Sequence, residues 1–291
     1  MSSGEKPMTF LGLDKKDWLH REILVDSDKE KIQCLSNALM VDPEDGYLWH
    51  TLGDKYADFD EQKAKYCWSH AKNSYQKRLE QFKIDAKKYA KDSSHLLHME
   101  VTSTDVLQII SAMYFSLGSI HMNLSEYELA ISAYDKSYSI KDNDPDCLYY
   151  SAEANFYLDK LHEAEDRLVK NIKSTNDYKS HYLLGLIRWK KNEFNSSLQS
   201  FWNCINASGN DADSCYHKHL AYNALGNSKK TEFYLKKAFE KEPSEERAFD
   251  LIKFYEETGK TKLCKKYYDL VHKMHKKSQN TVEEKSKSLA R

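Results

Sequence analysis

The sequence predicts an all-α protein built by repetition, a solenoid of helix–turn–helix units. Three observations predict it. Apolar residues recur at helical spacing in short stretches separated by turn residues. Only 9 glycines and 4 prolines occur in 291 residues, which favours long helices and short turns over a sheet with many hairpins. Third, one pattern returns at a fixed interval. The stretch 182–201 shows it best: two amphipathic helices meet at a turn near Asn192. Gly185 lets the second helix pack close to the first, and Ser197 and Phe201 form the second helix's inward face. Neither helix can bury its apolar face alone, so the unit repeats.

The interval can be followed through three markers. The small residue of the first helix falls at Gly118, Ala152 and Gly185, then degenerately at His219 and Ile252, with spacings of 34, 33, 34 and 33. The first inward residue of the second helix falls at Ala130, Ala164, Ser197, Thr231 and Cys264 with the same spacings. The bulky residue one turn later falls at Tyr134, Leu168, Phe201, Leu235 and Tyr268. A period near 34 in helix–turn–helix units is the tetratricopeptide signature, and the sequence resembles that family. Trp49, Leu52, Gly53 and Tyr56 match the family's first-helix pattern, as do Leu117 and Gly118 with Ala130 and Tyr134. Ala238 with Pro243 matches the end of a unit. The resemblance covers about residues 12–275 and implies a right-handed α-solenoid. It is specific for fold and says little about function, because this scaffold hosts many functions.

In chain order, residues 1–11 read as a short disordered lead, and residues 12–45 as a degenerate N-terminal repeat serving as a cap. The cap's helices are expected over 14–25, with Trp18, Leu19 and Ile23 inward, and over 29–40, with Leu35 and Ala38 inward. Residues 46–79 form the first strong repeat. Its second helix starts near Asp60, carries Ala64, Trp68 and Ala71, and does not stop on schedule: apolar positions continue through Tyr75, Leu79, Phe82, Ala86 and Tyr89. Gly53 and Gly118 are 65 residues apart, one period plus an insertion, so residues 80–110 are a helical extension with an insertion loop. Such insertions often carry function, and a bracing helix or a disordered loop is the other reading. Thr104 is placed to cap the next first helix. Residues 111–275 hold five repeats, at 111–144, 145–177, 178–211, 212–244 and 245–275. Pro145 suits the first position of a helix, Ser244 with Glu245 and Glu246 suits another helix start, and Gly226 and Gly259 sit at turns. Residues 276–291 read as a disordered basic tail.

Composition narrows the function. The 44 basic and 45 acidic residues nearly cancel, so the whole molecule is not an evident polyanion binder. None of the six cysteines pairs as Cys-x-x-Cys and several fall at inward positions, the pattern of buried free thiols in a reducing compartment. The N-terminal residues read as no signal peptide, and no window approaches 18 consecutive apolar residues. A cytoplasmic, or else nuclear, location is expected, which makes the sequons at Asn123, Asn195 and Asn206 accidental. No phosphate-binding glycine loop, Gly-x-Ser-x-Gly or His-Glu-x-x-His is present, so the expectation is a non-enzyme without cofactor. Cys215 and His219 share a helix face, but His217 points elsewhere and no second ligand pair is evident; no metal site is assigned. His95 and His98 suit a loop or a helix end.

The resemblance implies a concave wall lined by outward positions of the first helices. Counted from the markers, one ladder there is Phe115, Tyr149, Tyr182 and Tyr216, and a second is Met122, Phe156, Trp189 and Asn223. Aromatic stripes either pack between neighbouring helices or receive a partner. The inward positions are separately filled by Leu117, Ala130, Ala152, Ala164, Leu184 and Phe201, which favours a partner groove for an extended peptide or a helix. Co-chaperones of the family clamp acidic tails with Lys and Asn; the matching places here hold His50, Asp54, Ser116, Asp146 and Tyr150, and none is a clamp residue. The last repeat is basic through Lys262, Lys265, Lys266, Lys273, Lys276 and Lys277, either the solvated face of an end cap or a phosphate-binding face. Arginine is nearly absent there, which argues against base-specific recognition. The expectation is a protein-binding adaptor or scaffold within a multiprotein complex. The alternative is an RNA-binding protein using the groove aromatics and the basic face. Self-association through the repeats is a further option.

Overall fold

The structure is a computed structural model that describes residues 9–25, 27–91, 103–141 and 144–274, the side chains of 85–91 and 103–105 excepted. Apart from an isolated bridge between Phe10 and Leu13, its regular elements are helices: α1 (Lys15–Leu24), α2 (Asp28–Val41), α3 (Gly46–Tyr56), α4 (Glu61–Lys91), α5 (Ser103–Asn123), α6 (Tyr127–Ile140) and α7 (Pro145–Tyr157). There follow α8 (Leu161–Thr175), α9 (Tyr178–Lys190), α10 (Phe194–Ala207), α11 (Ala212–Ala224), α12 (Ser228–Lys241), α13 (Glu245–Glu257) and α14 over residues 261–274. Odd-numbered helices open a repeat and even-numbered ones close it. Their contacts divide the chain into two compact units, residues 1–150 and 151–291.

First helices carry side-chain caps: Asp14, Asp45, Asp177, Asp211 and Ser244 accept from the free amides of α1, α3, α9, α11 and α13. Of the second helices, α2 and α12 are also capped, by Ser27 and Asn227, whereas α6, α8 and α10 have no side-chain cap and start straight out of a tight turn. In the turn before each second helix from α6 to α14 one residue is left-handed: Ser125, Asp159, Asn192, Gly226 and Gly259, at φ 59°, 61°, 63°, 69° and 69°. The next amide then reaches back to close the first helix, Glu126 to the His121 carbonyl, Glu193 to Arg188 and Lys260 to Tyr255, each at 2.8 Å. These five positions keep the 34, 33, 34, 33 spacing and form a fourth marker of the repeat.

Packing inside a repeat follows a rule of compensating size. A Cβ added at Gly53, Gly118 or Gly185 would lie 2.5 Å from the ring of Trp68, Tyr134 or Phe201 respectively. Where the first helix carries Ala152 or His219, the facing residue is the smaller Leu168 or Leu235, and both leucines are fully buried. The rule ends in the last repeat. Ile252 fills the place of the glycine, and Tyr268, the expected inward residue, is 48% exposed with its hydroxyl donating to Glu256. Tyr267 takes the inward role and stacks on Tyr255, ring centroids 5.7 Å apart, while Cys264 is only partly buried.

Two local expectations are also corrected. Ile23 is 75% exposed while Trp18 is buried, because five residues turn a helix through about 140° and the two do not share a face. Helix α5 starts at Ser103, so Thr104 lies within it rather than before it. Helix α4 runs on for 31 residues, and its Leu79 packs with Met113, Leu117 and Ala133 of α5 and α6. The loop after α4 and the tail after 274 lie outside the described residues, as do His95, His98, Lys276 and Lys277.

Candidate functional site

In the first unit, three of the expected groove residues, Phe115 and Met122 on α5 and Tyr149 on α7, are all half-buried. Phe115 meets Tyr134 and Tyr150 edge-on, at 5.4 and 5.7 Å between centroids. Tyr134 and Tyr150 stack at 5.8 Å, and Tyr149 stands edge-on to Tyr150. Phe115 therefore helps to seal the interior as well as facing outward. Asp54, one of the places where a clamp residue would stand, accepts from the Trp68 indole at 2.9 Å and the Asn123 amide at 3.1 Å, so it is occupied in packing.

In the second unit, Phe156 on α7, Tyr182 on α9 and Tyr216 on α11 are half-buried, and Trp189 on α9 is 48% exposed. Helices α9 and α11 touch directly across the repeat. His217 joins their aromatics: its ring lies 5.0 Å from Tyr178 and 6.0 Å from both Tyr182 and Tyr216. Sequence spacing assigned His217 no role there, because its part depends on α9 lying beside α11. Trp189 stands at the hairpin tip, edge-on to Phe194 at 5.0 Å, and Lys190 lies 5.2 Å over the ring of Phe156. The interior is filled by other residues, Ala164, Leu168, Leu184 and Phe201, all buried.

Two carboxyls on first helices, Glu153 and Asp250, are raised by burial. Burial raises the Glu153 carboxyl above its ordinary range, and no cation answers it among the described residues. Burial also raises Asp250, whose Oδ2 is buried with no hydrogen-bond partner among the described residues; burial and this neighbouring acid push Tyr216 up to about 12. His217 is held below its ordinary value by burial. Glu165, by contrast, is fully engaged. Glu165 accepts from Arg188 at 2.8 Å and from Lys191 at 2.6 Å; burial would raise it, but the two cations outweigh burial and hold it low.

The residues weighed for metal are spent on packing. Cys215 is fully buried, and His219 is buried against the Tyr216 ring at 4.6 Å and held down to about 4 by burial. No group of three or more His, Cys, Asp or Glu able to hold a metal ion occurs among the described residues. On α14, Lys262, Lys265, Lys266 and Lys273 are exposed and form no ion pair among the described residues. No helix among the described residues is long and apolar enough to cross a membrane.

Comparison with protein families agrees with the repeat geometry. The tetratricopeptide repeat profile matches residues 111–144, which run from within α5 through the turn and α6. No curated protein matches the sequence. Among solved structures, the chain is similar to MamA, with 21% identity over 63% of this chain and 93% of that one and a TM-score of 0.39. It is also similar to TTC0263, a thermophilic tetratricopeptide protein of Thermus thermophilus, with 17% identity over 62% and 100% of the two chains and a TM-score of 0.48. A third likeness is to the Cut9–Hcn1 hetero-tetramer of the APC/C, with 16% identity over 87% of this chain and 42% of that one and a TM-score of 0.46.

Proposed function

Because this chain is a tetratricopeptide-repeat protein in family and fold, we propose that it is a non-enzymatic adaptor that binds a peptide or helix of a partner protein on its first-helix aromatics. The observation that carries this reading is in the second unit. Trp189 is 48% exposed and Phe156, Tyr182 and Tyr216 are half-buried, while separate residues fill the repeat interior. Tyr182 and Tyr216 also pack on the core, Tyr182 with its ring 5.8 Å from Phe201, whereas Trp189 and Phe156 belong to no core cluster among the described residues and are large enough to act as anchors. Phe115, Met122 and Tyr149 are the corresponding set of the first unit.

The test is affinity purification of the intact chain beside Phe156→Ala with Trp189→Ala, recovering both protein and RNA. A protein captured by the wild type and lost from a fully helical variant supports the reading. Undiminished capture by the variant overturns it for these residues.

A second reading rests on the exposed lysines of α14, which form no ion pair among the described residues. They offer a phosphate-binding face, and RNA retained at low salt and lost at moderate salt would move the function there. Absence of retention on single-stranded RNA at low salt would remove that reading.

A further inference from the structure

Helix α10 differs from every other second helix of the chain. From 194 to 210 no residue is charged, in a protein that is 31% Asp, Glu, Lys and Arg. The matching helices expose charges: Glu128, Asp135 and Lys136 on α6; Glu163, Asp166 and Lys170 on α8; Lys229, Lys230 and Glu240 on α12. Helix α10 instead exposes a ridge of Phe194, Leu198 and Trp202, at 48%, 36% and 46%, spaced four residues apart on one face. At two of its three positions, Leu198 and Trp202, the repeat elsewhere mostly carries ions, the exceptions being Ile131 and Val169. Leu198 is one period from Glu165 and from Glu232, and Trp202 is one period from Lys236. Glu165 and Glu232 each take two cations from their surroundings.

The ridge is held firmly. Phe194 meets Trp189 edge-on at 5.0 Å, Trp202 meets Tyr222 at 6.0 Å, and Tyr222 stacks on Tyr234 at 5.4 Å with the rings 7° from parallel. Its flanks are amides. Gln199 donates to Asn203 at 3.0 Å, and Asn195 and Asn206 are exposed at the two ends.

We propose that this face of α10 is the interface of a reversible homodimer, with the ridge of one copy lying antiparallel on the ridge of a second. Across a two-fold axis every residue near the axis meets its own kind. A charged side chain there meets a like charge, whereas an apolar ridge meets an apolar ridge and an amide, both donor and acceptor, meets its complement. A charge-free apolar ridge between amides satisfies all three conditions. A partner of different sequence would be expected to meet charges of opposite sign, and α10 offers none. Leu198 falls at the centre of the ridge and so next to the axis, which sets Phe194 of one copy against Trp202 of the other. Phe194 and Trp202, each about half-exposed, together with Leu198 present about 300 Å² of apolar surface per copy, to which the flanking amides add a polar rim. That is well below the ~800 Å² per partner of a standard stable interface, which fits a weak, concentration-dependent dimer rather than an obligate one.

The test is sedimentation velocity of the full chain from about 1 to about 300 µM, a range that brackets a micromolar dissociation constant. The expected result is a shift from monomer to dimer with rising concentration. Leu198→Lys should weaken the dimer by about a hundredfold or more, because two unpaired charges would be buried on the axis. Leu198→Cys, treated with a short bis-maleimide, should link two copies much faster than Ile23→Cys, which is exposed but lies off the ridge. Circular dichroism checks that each variant is folded. A monomer throughout the range overturns the proposal. So does a dimer untouched by Leu198→Lys, or equal linking at the two cysteines.

Discussion

Gly185 and Phe201 share one volume. A Cβ on the glycine would stand 2.5 Å from the Phe201 ring, and Ser197, one turn before the phenylalanine, donates to the Gly185 carbonyl at 2.7 Å. The missing side chain is the socket, and the hydroxyl fixes the second helix against the first. Filling the socket must move a ring that is 1% exposed and closely surrounded.

Gly185→Ala is therefore expected to destabilise the chain by about 1–3 kcal/mol, the cost of overpacking a well-filled interior. Phe201→Leu in the same chain should recover part of that loss, because Ala152 with Leu168 is the same combination one repeat earlier. Urea unfolding of the two single variants and the double variant gives the coupling. Strictly additive losses would show that the two residues do not compete for space.

The left-handed turn residues give a cleaner backbone test. Ser125→Gly should stabilise by about 0.5–1 kcal/mol, since a side chain at positive φ strains the backbone and glycine does not. Gly226→Ala should cost about 1–2 kcal/mol for the same reason. A Cβ at Gly226 meets nothing within 4 Å, so crowding plays no part. Equal denaturation midpoints for Gly226→Ala and wild type would remove the backbone explanation.

Glu232 predicts a pH dependence. Its carboxylate accepts from Lys236 at 2.7 Å, from Lys260 and from the Tyr255 hydroxyl at 3.2 Å. Burial works against it, but the two lysines prevail and hold it down to about 2. A carboxyl held low in the folded chain adds stability above its unfolded value, and that stability is lost as pH falls through the folded value. Glu232→Gln should cost about 1–3 kcal/mol at pH 7, and the gap from wild type should close as pH falls from about 4.5 towards 2. A gap independent of pH, followed by chemical denaturation, would mean that the ion pairs contribute nothing.

Trp189→Ala should leave stability within about 1 kcal/mol, because half of the side chain is already in water and its main aromatic contact, Phe194, is itself exposed. A large drop in melting temperature would mean that Trp189 holds the hairpin tip together, and would disqualify it as a neutral probe of partner binding.

The repeat was legible without any coordinates. Gly118, Ala152 and Gly185 against Tyr134, Leu168 and Phe201 carry the period in residue size, and size is written in the letters. The starts at Pro145 and Ser244 and the turns at Gly226 and Gly259 were equally legible, because each depends on a residue's own backbone or capping chemistry. The same turn at Ser125 and Asp159 was hidden, since an L-residue does not announce a positive φ that its neighbours impose. Tertiary structure decided which of two adjacent tyrosines in α14 turns inward: Ile252 had already filled the socket, so Tyr267 was buried and Tyr268 left in water. It also decided that His217 joins Tyr178, Tyr182 and Tyr216, which needs α9 beside α11. Above all it decided that the Phe194, Leu198 and Trp202 face stays uncovered. Helical spacing tells which residues share a face, but whether a neighbouring element covers that face depends on how the helices stack, and single-helix periodicity does not carry that.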